Sequence, residues 1–127
     1  MISPVKGRIT GRFGNRIHPV TKTQSFHNGV DIAVAIGTPV LAPETGRVTE
    51  VWNHDKGGKC MAMVSQSGIR FGFAHLSEQL KKTGDSVNMG DTIALSGNTG
   101  ASTGPHVHFT VKKNGSWVDP LKYFNFK

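Results

Sequence analysis

At 127 residues, with 36% hydrophobic and 18% charged side chains, the chain suits one domain with one core and is too apolar to stay disordered. A lone cysteine, Cys60, excludes an intramolecular disulfide framework, and no stretch approaches the ~20 apolar residues of a membrane span. The formal charge of +7 favours anionic partners such as nucleic acid, acidic lipid or bacterial wall polymers.

Sixteen glycines and six prolines, spread without a fixed repeat, predict many turns joining short strands. "GRITGRFGNRIHPVTKTQSFHNG" reads as a short strand followed by a turn-rich loop. "VDIAVAIGTPVLAP" reads as two strands split by a turn at Gly37-Thr38-Pro39. "GRVTEVWN" is a strand with imperfect alternation, and "NHDKGGK" is a loop. "CMAMVSQ" and "IRFGFAH" are strands joined by a tight hairpin at Ser67-Gly68, with Cys60 as a small buried hydrophobe. "LSEQLKKTG" is the best helix candidate, with Gly84 as its stop. "SVNMGDTIALSGNTG" gives a turn, a short strand and a Gly-rich loop, and "HVHFTVKKNGSWVDP" a hairpin about Asn114-Gly115. The expected fold is mainly β: a single antiparallel-sheet domain over residues 1–127 with one or two short helical turns.

Chemistry concentrates in the histidines. His106 and His108 lie two apart in a strand, so both rings share one face at ~6.6 Å spacing while Val107 turns into the core. Either both serve one metal, or one binds it while the other reaches its water. His27 and Asp31, in "HNGVD", offer nitrogen and oxygen donors that suit zinc. A fully extended strand would separate them by ~13 Å, so a site there requires a bend, and Asn28-Gly29 makes one cheap. His75 closes an apolar run, a common address for a site residue. His18 and His54 read as surface loop residues. The Gly-rich loop "SGNTGASTGPH" has neither the P-loop lysine nor a following helix. It reads as a groove wall in which Gly104-Pro105 aims His106.

In this order and with these flanks, the segments resemble the lysostaphin/LytM-type zinc metallopeptidases, which cut peptide bonds in bacterial peptidoglycan. "GRFGNRIHPV" is similar to the family's opening segment, and "HNGVDIAVAIGTPVLAPETGRV" to its H-x-x-x-D segment and following strands. "FGFAHL" matches its central histidine strand, and "VNMGDTIALSGNTGASTGPHVHFTV" its closing loop and H-x-H strand. The resemblance spans roughly Pro4 to Pro120. It implies one Zn2+ per chain held by His27, Asp31 and His108, with His75 and His106 as catalytic histidines acting on the attacking water. It also implies an antiparallel sheet with the metal in a groove between loops, and it places Arg16 on that groove. The segment "NHDKGGKCMAM" departs from the family's Gly-Tyr-Gly-Asn-like run, a difference that bears on subsite preference.

The implied function is a peptidoglycan endopeptidase, cutting stem or cross-link peptides such as D-Ala–diaminopimelate. Only three glutamates are present and no H-E-x-x-H segment, which favours histidine over glutamate as the base. A non-catalytic wall-binding module of the same fold is the alternative, set against the filling of all these positions. Nucleic acid is not an expected partner, because the cations are scattered and no basic helix appears. No membrane insertion is expected, and the chain is expected to act as a monomer on the wall, in the periplasm or outside the cell. Without an apolar signal core at its N-terminus, it is expected to be a phage lysin or virion component, or the catalytic part of a secreted autolysin.

Overall fold

Twelve short strands, described in a computed structural model over residues 1–17 and 21–127, follow the turn-rich composition. His18 lies outside the described residues. The strands are β1 (Arg8–Gly11), β2 (Gly14–Ile17), β3 (Gln24–His27), β4 (Gly29–Ala33), β5 (Pro39–Leu41) and β6 (Gly46–His54). They continue as β7 (Gly58–Ser65), β8 (Arg70–Gln79), β9 (Ser86–Val87), β10 (Thr92–Ser96), β11 (His106–Lys113) and β12 (Ser116–Val118). The main sheet runs β1-β4-β11-β8-β7-β6-β9, with β12 on β11 and β10 bridging β5 and β8; every ladder among the described residues is antiparallel. β2 and β3 form a separate two-stranded ladder.

The core lies beneath the central strands. On β11, Val107, Phe109 and Val111 point inward and are 0–2% exposed, which leaves His106 and His108 on the opposite face. Phe109 is the hub: it stacks on Phe71 and Phe73 at 6.0 and 5.4 Å, and Phe124 and Phe126 meet it edge-on. This aromatic anchor under β11 fixes the height and direction of the two histidines above it.

Two turns match their sequence chemistry. Gly68 takes φ +87° between β7 and β8, and Asn114-Gly115, with φ +52° and +78°, forms the two-residue loop between β11 and β12. The uneven alternation of β6 is a bulge: its register on β7 shifts between Val48 and Glu50. Cys60 is 4% exposed on β7, the small buried hydrophobe expected there.

Two expectations are corrected. The helix over "LSEQLKKTG" does not form, because Leu76–Gln79 continue β8 and pair with β10. Leu76 is fully buried there while Leu80 is 45% exposed, so the four-residue apolar spacing is not a helical face. The segment read as a loop after β1 carries the β2–β3 ladder. The helical content among the described residues is one 3-10 turn, Pro120–Lys122, capped by the Asp119 carboxylate accepting from the Leu121 N–H at 3.0 Å. A further point concerns Gly29. The chain bends at Asn28, as expected, but Gly29 is needed for a close approach: a Cβ there would collide with the Phe109 carbonyl oxygen across the β4–β11 ladder.

Gly29→Ala is therefore expected to destabilise the fold by about 1–3 kcal/mol through overpacking. Thermal unfolding checks this; an unchanged midpoint contradicts the close-packed ladder.

Candidate metal centre

β4 and β11 pair so that Asp31 lies directly opposite His108. Side chains paired across adjacent strands stand on one face with Cβ atoms ~5 Å apart, which is enough to bring carboxylate and imidazole together. The His108 Nδ1 lies 2.8 Å from Asp31 Oδ1. His27 ends β3, and the bend at Asn28 folds it back until its Nε2 is 3.3 Å from Asp31 Oδ2. The donor atoms of His27, Asp31 and His108 all lie within 4.8 Å of one another, so groups distant in sequence reach a common point.

Proton positions follow from what surrounds each ring. A carbonyl only accepts, so His27 Nδ1–H donates to the Arg12 carbonyl at 2.9 Å, and the Nε2 lone pair is turned toward Asp31. His108 Nε2–H donates to Asn28 Oδ1 at 2.8 Å, which turns its Nδ1 lone pair toward Asp31 as well. Two lone pairs and a carboxylate thus confront one another, an arrangement that needs protons or a cation between them. Burial pushes the Asp31 carboxyl up, but hydrogen bonds from His108 and His27 outweigh it and leave the group well below the usual carboxylate range. The hydrogen bond to the Asp31 carboxylate raises the His27 pKa above its ordinary 6.5, against burial that lowers it and the opposing charge of Arg16.

These donors fit a divalent transition metal. Two imidazole nitrogens and one carboxylate oxygen form a borderline donor set of the kind zinc takes. Their spacing suits bonds of about 2.0–2.2 Å to one ion. The outer nitrogens of both rings are bound to oxygens, which is the support that metal-ligating histidines use to fix tautomer and orientation.

His75 and His106 stand beside this cluster with ring centroids 4.6 Å apart. His106 Nε2 is 3.7 Å from Asp31 Oδ1, and its Nδ1–H donates to the Gly104 carbonyl at 2.8 Å, with Ser102 Oγ at 3.1 Å. His75 sits where β8 leaves β11 for β10, and it has a left-handed φ of +62°. That strained bend is held by its N–H on the Gly57 carbonyl at 2.7 Å and by its Nδ1–H on the Thr99 carbonyl, also at 2.7 Å. Burial pushes the His75 pKa below its usual value. Both rings therefore have Nδ1–H tethered and Nε2 left for chemistry.

The model of "Peptidase family M23" matches residues 25–120, most of the chain. The chain belongs to peptidase family M23. It is 41% identical over 118 residues to the peptidoglycan DD-endopeptidase ShyA of Vibrio cholerae, covering 92% of this chain and 27% of that protein. Among solved structures, a zinc-containing peptidase from Vibrio cholerae superposes with a TM-score of 0.87 at 39% identity, over 92% of this chain and 37% of the other. The catalytic domain of lysostaphin from Staphylococcus simulans superposes with a TM-score of 0.81 at 32% identity, over 92% and 91%. The chain spans about a quarter of the length of curated M23 relatives.

All five singled-out residues meet at one place: His27, Asp31 and His108 as a donor cluster, His75 and His106 next to it. Arg16, on β2, acts electrostatically on His27. His54 is exposed, and its Nδ1 accepts from the Lys56 N–H at 3.0 Å, a turn contact apart from the site. Sequence reasoning missed Asn28, taken only as a turn residue, and Thr99. The Thr99 hydroxyl donates to the Leu76 carbonyl at 2.6 Å and accepts from the Lys59 N–H at 3.1 Å, which pins the carbonyl that holds His75. A polar residue at a hairpin kink beside a histidine was the only available signal for Asn28.

In metal-free protein, NMR titration is expected to give His27 a midpoint above 6.5, lowered by Asp31→Asn. A raised histidine pKa stabilises the fold below 6.5, and that contribution is lost as pH rises through the raised value. A midpoint at or below 6.5 in the unsubstituted protein contradicts the assigned pairing.

Proposed function

We propose that residues 1–127 form the catalytic domain of a zinc-dependent peptidoglycan endopeptidase. The observation that carries this reading is the convergence of the His27, Asp31 and His108 donor atoms, with the His75 and His106 rings facing the same point. Zinc bound by those three residues supplies Lewis-acid polarisation of the scissile carbonyl and of the attacking water.

The chain's own groups do the remaining work. His75 is kept neutral by burial near neutral pH, so its Nε2 is available to accept a proton from water. His106, tethered through Nδ1 to Gly104, presents Nε2 beside Asp31 and can pass a proton to the leaving amine. The roles are interchangeable between the two rings, which sit in contact. The carboxylate of Asp31 holds the donor set together and compensates developing imidazolium charge. Cavities flank the cluster on both sides: one of about 490 Å³ lined by Arg8, Thr10, Pro105 and His106, the other of about 210 Å³ lined by Trp52, Arg70 and His108. A peptide crossing from one to the other places its backbone over the donors.

Peptidoglycan is the substrate polymer supported by the family and by the +7 charge, which attracts an anionic wall. The DD-endopeptidase name of a relative supports a bond between D-centres, as in D-Ala–diaminopimelate cross-links. Action is then on the wall, in the periplasm or outside the cell. No helix among the described residues is long and apolar enough to cross a membrane.

His108→Ala is expected to lose bound zinc and wall lysis together. His106→Ala is expected to keep about one zinc per chain and lose roughly 10²–10⁴-fold in turnover, the usual contribution of a positioned acid–base group. Atomic absorption beside a wall-lysis rate reads both; full-rate lysis by His106→Ala contradicts its role.

A further inference from the structure

The smaller of the two cavities has a composition that transition-metal chemistry does not use. It opens at His108 and runs along the exposed face of the sheet away from the donor cluster. The ladders set its plan: Ala74 lies opposite His108, Gly72 opposite Thr110, and Arg70 opposite Lys112. The floor is therefore Ala74, Gly72 and Thr110, three small residues, and at Gly72 a Cβ would collide with the Thr110 hydroxyl. Walls of indole rise on both sides. Trp52 stands on β6 and Trp117 on β12. Gln79 pins the first wall by donating from Nε2 to the carbonyls of Trp52 and Cys60, at 2.9 and 2.8 Å.

The far end is cationic. Arg70 lines it, and the Lys112 ammonium sits over the Trp117 ring at 4.7 Å. No acidic side chain is among the described residues that line the cavity. The nearby counter-charge is Glu50, on the rim, 3.4 Å from Arg70 Nη2 and 56% exposed. Such a solvent-screened pair holds its arginine weakly, so a ligand carboxylate entering between the indoles competes well for the guanidinium. The Arg70 Nη1 lies 3.5 Å from the point a Gly72 Cβ would take, and Gly72 pairs with Thr110, two residues along β11 from His108, so the guanidinium stands about 7 Å along the strand from that histidine. One residue with a long aliphatic side chain, or about two residues of extended peptide, spans that distance.

We propose that this cavity is a substrate pocket for a carboxylate-bearing segment of the peptide being cut, with Arg70 pairing the carboxylate and Trp52 and Trp117 packing its aliphatic portion. It rests on the reading that the chain hydrolyses wall peptides. It adds that the enzyme distinguishes acidic from amidated peptides at a position beside the bond cleaved. The volume of about 210 Å³ admits one amino-acid-sized group, not a disaccharide.

The test uses zinc-loaded protein and two cross-linked peptides, identical except that the free carboxylate is a carboxamide in the second. The expected result is a kcat/KM ratio of about tenfold in favour of the acid, most of it in KM, falling toward one in Arg70→Gln and partly restored in Arg70→Lys. Trp117→Ala is expected to raise KM for both peptides. Equal kcat/KM for acid and amide in the unsubstituted enzyme overturns the pocket while leaving the peptidase reading intact. Competition by a chitin oligosaccharide together with equal rates assigns the indoles to the glycan and also overturns it. Failure of the zinc-loaded enzyme to cleave any wall peptide or wall preparation sinks the peptidase reading itself.

Discussion

The Asp31 carboxylate faces ring nitrogens of His27, His106 and His108 at 3.3, 3.7 and 2.8 Å, and much of the sheet serves to hold that confrontation in place. Neutral imidazole lone pairs and a carboxylate repel unless positive charge lies between them. The strand pairing offers no escape, because Asp31 and His108 are locked opposite each other by the β4–β11 register. Phe109, buried beneath β11 in a cluster of four other phenylalanines, prevents that strand from rotating its histidines away. The fold thus gathers groups that need positive charge between them, supplied by protons on the rings or, in the proposed metal-bound form, by a divalent cation.

A second constraint acts on His75. His75 carries a left-handed backbone at the point where β8 exchanges β11 for β10 as its partner. Such a bend persists only when surrounding contacts over-determine it. The Gly57 and Thr99 carbonyls do so, and the Thr99 hydroxyl ties its own loop to Leu76 and Lys59. Strain in the backbone and a fixed ring tautomer are the same device seen from two sides: each turns Nε2 toward the groove.

Period-two alternation in "HVHFTV" made it legible that His106 and His108 share a face, but spacing left their roles open, and the donor set His27, Asp31 and His108 came from the resemblance to the family. The bend at Asn28-Gly29 was legible from its turn residues. The ladder partners were not, since nothing local states that β4 lies beside β11 or that β2 and β3 pair. The helix expected over "LSEQLKKTG" failed for a related reason. Leu76 and Leu80 fit a helical spacing, but pairing with β10 decided the matter, and tertiary contacts override weak local preference. The hydrogen-bond supports of the histidines were invisible because carbonyls of Arg12, Thr99 and Gly104 supply them, and a backbone acceptor has no sequence signature.

The central claim is that one cation joins residues drawn from β3, β4 and β11. Anomalous diffraction at the zinc edge from crystals of the zinc-loaded protein tests it most directly. The expected result is one peak per chain within about 2.0–2.2 Å of His27 Nε2, an Asp31 carboxylate oxygen and His108 Nδ1. A peak bound elsewhere, or a zinc-loaded crystal in which those three atoms remain bonded only to one another, contradicts it.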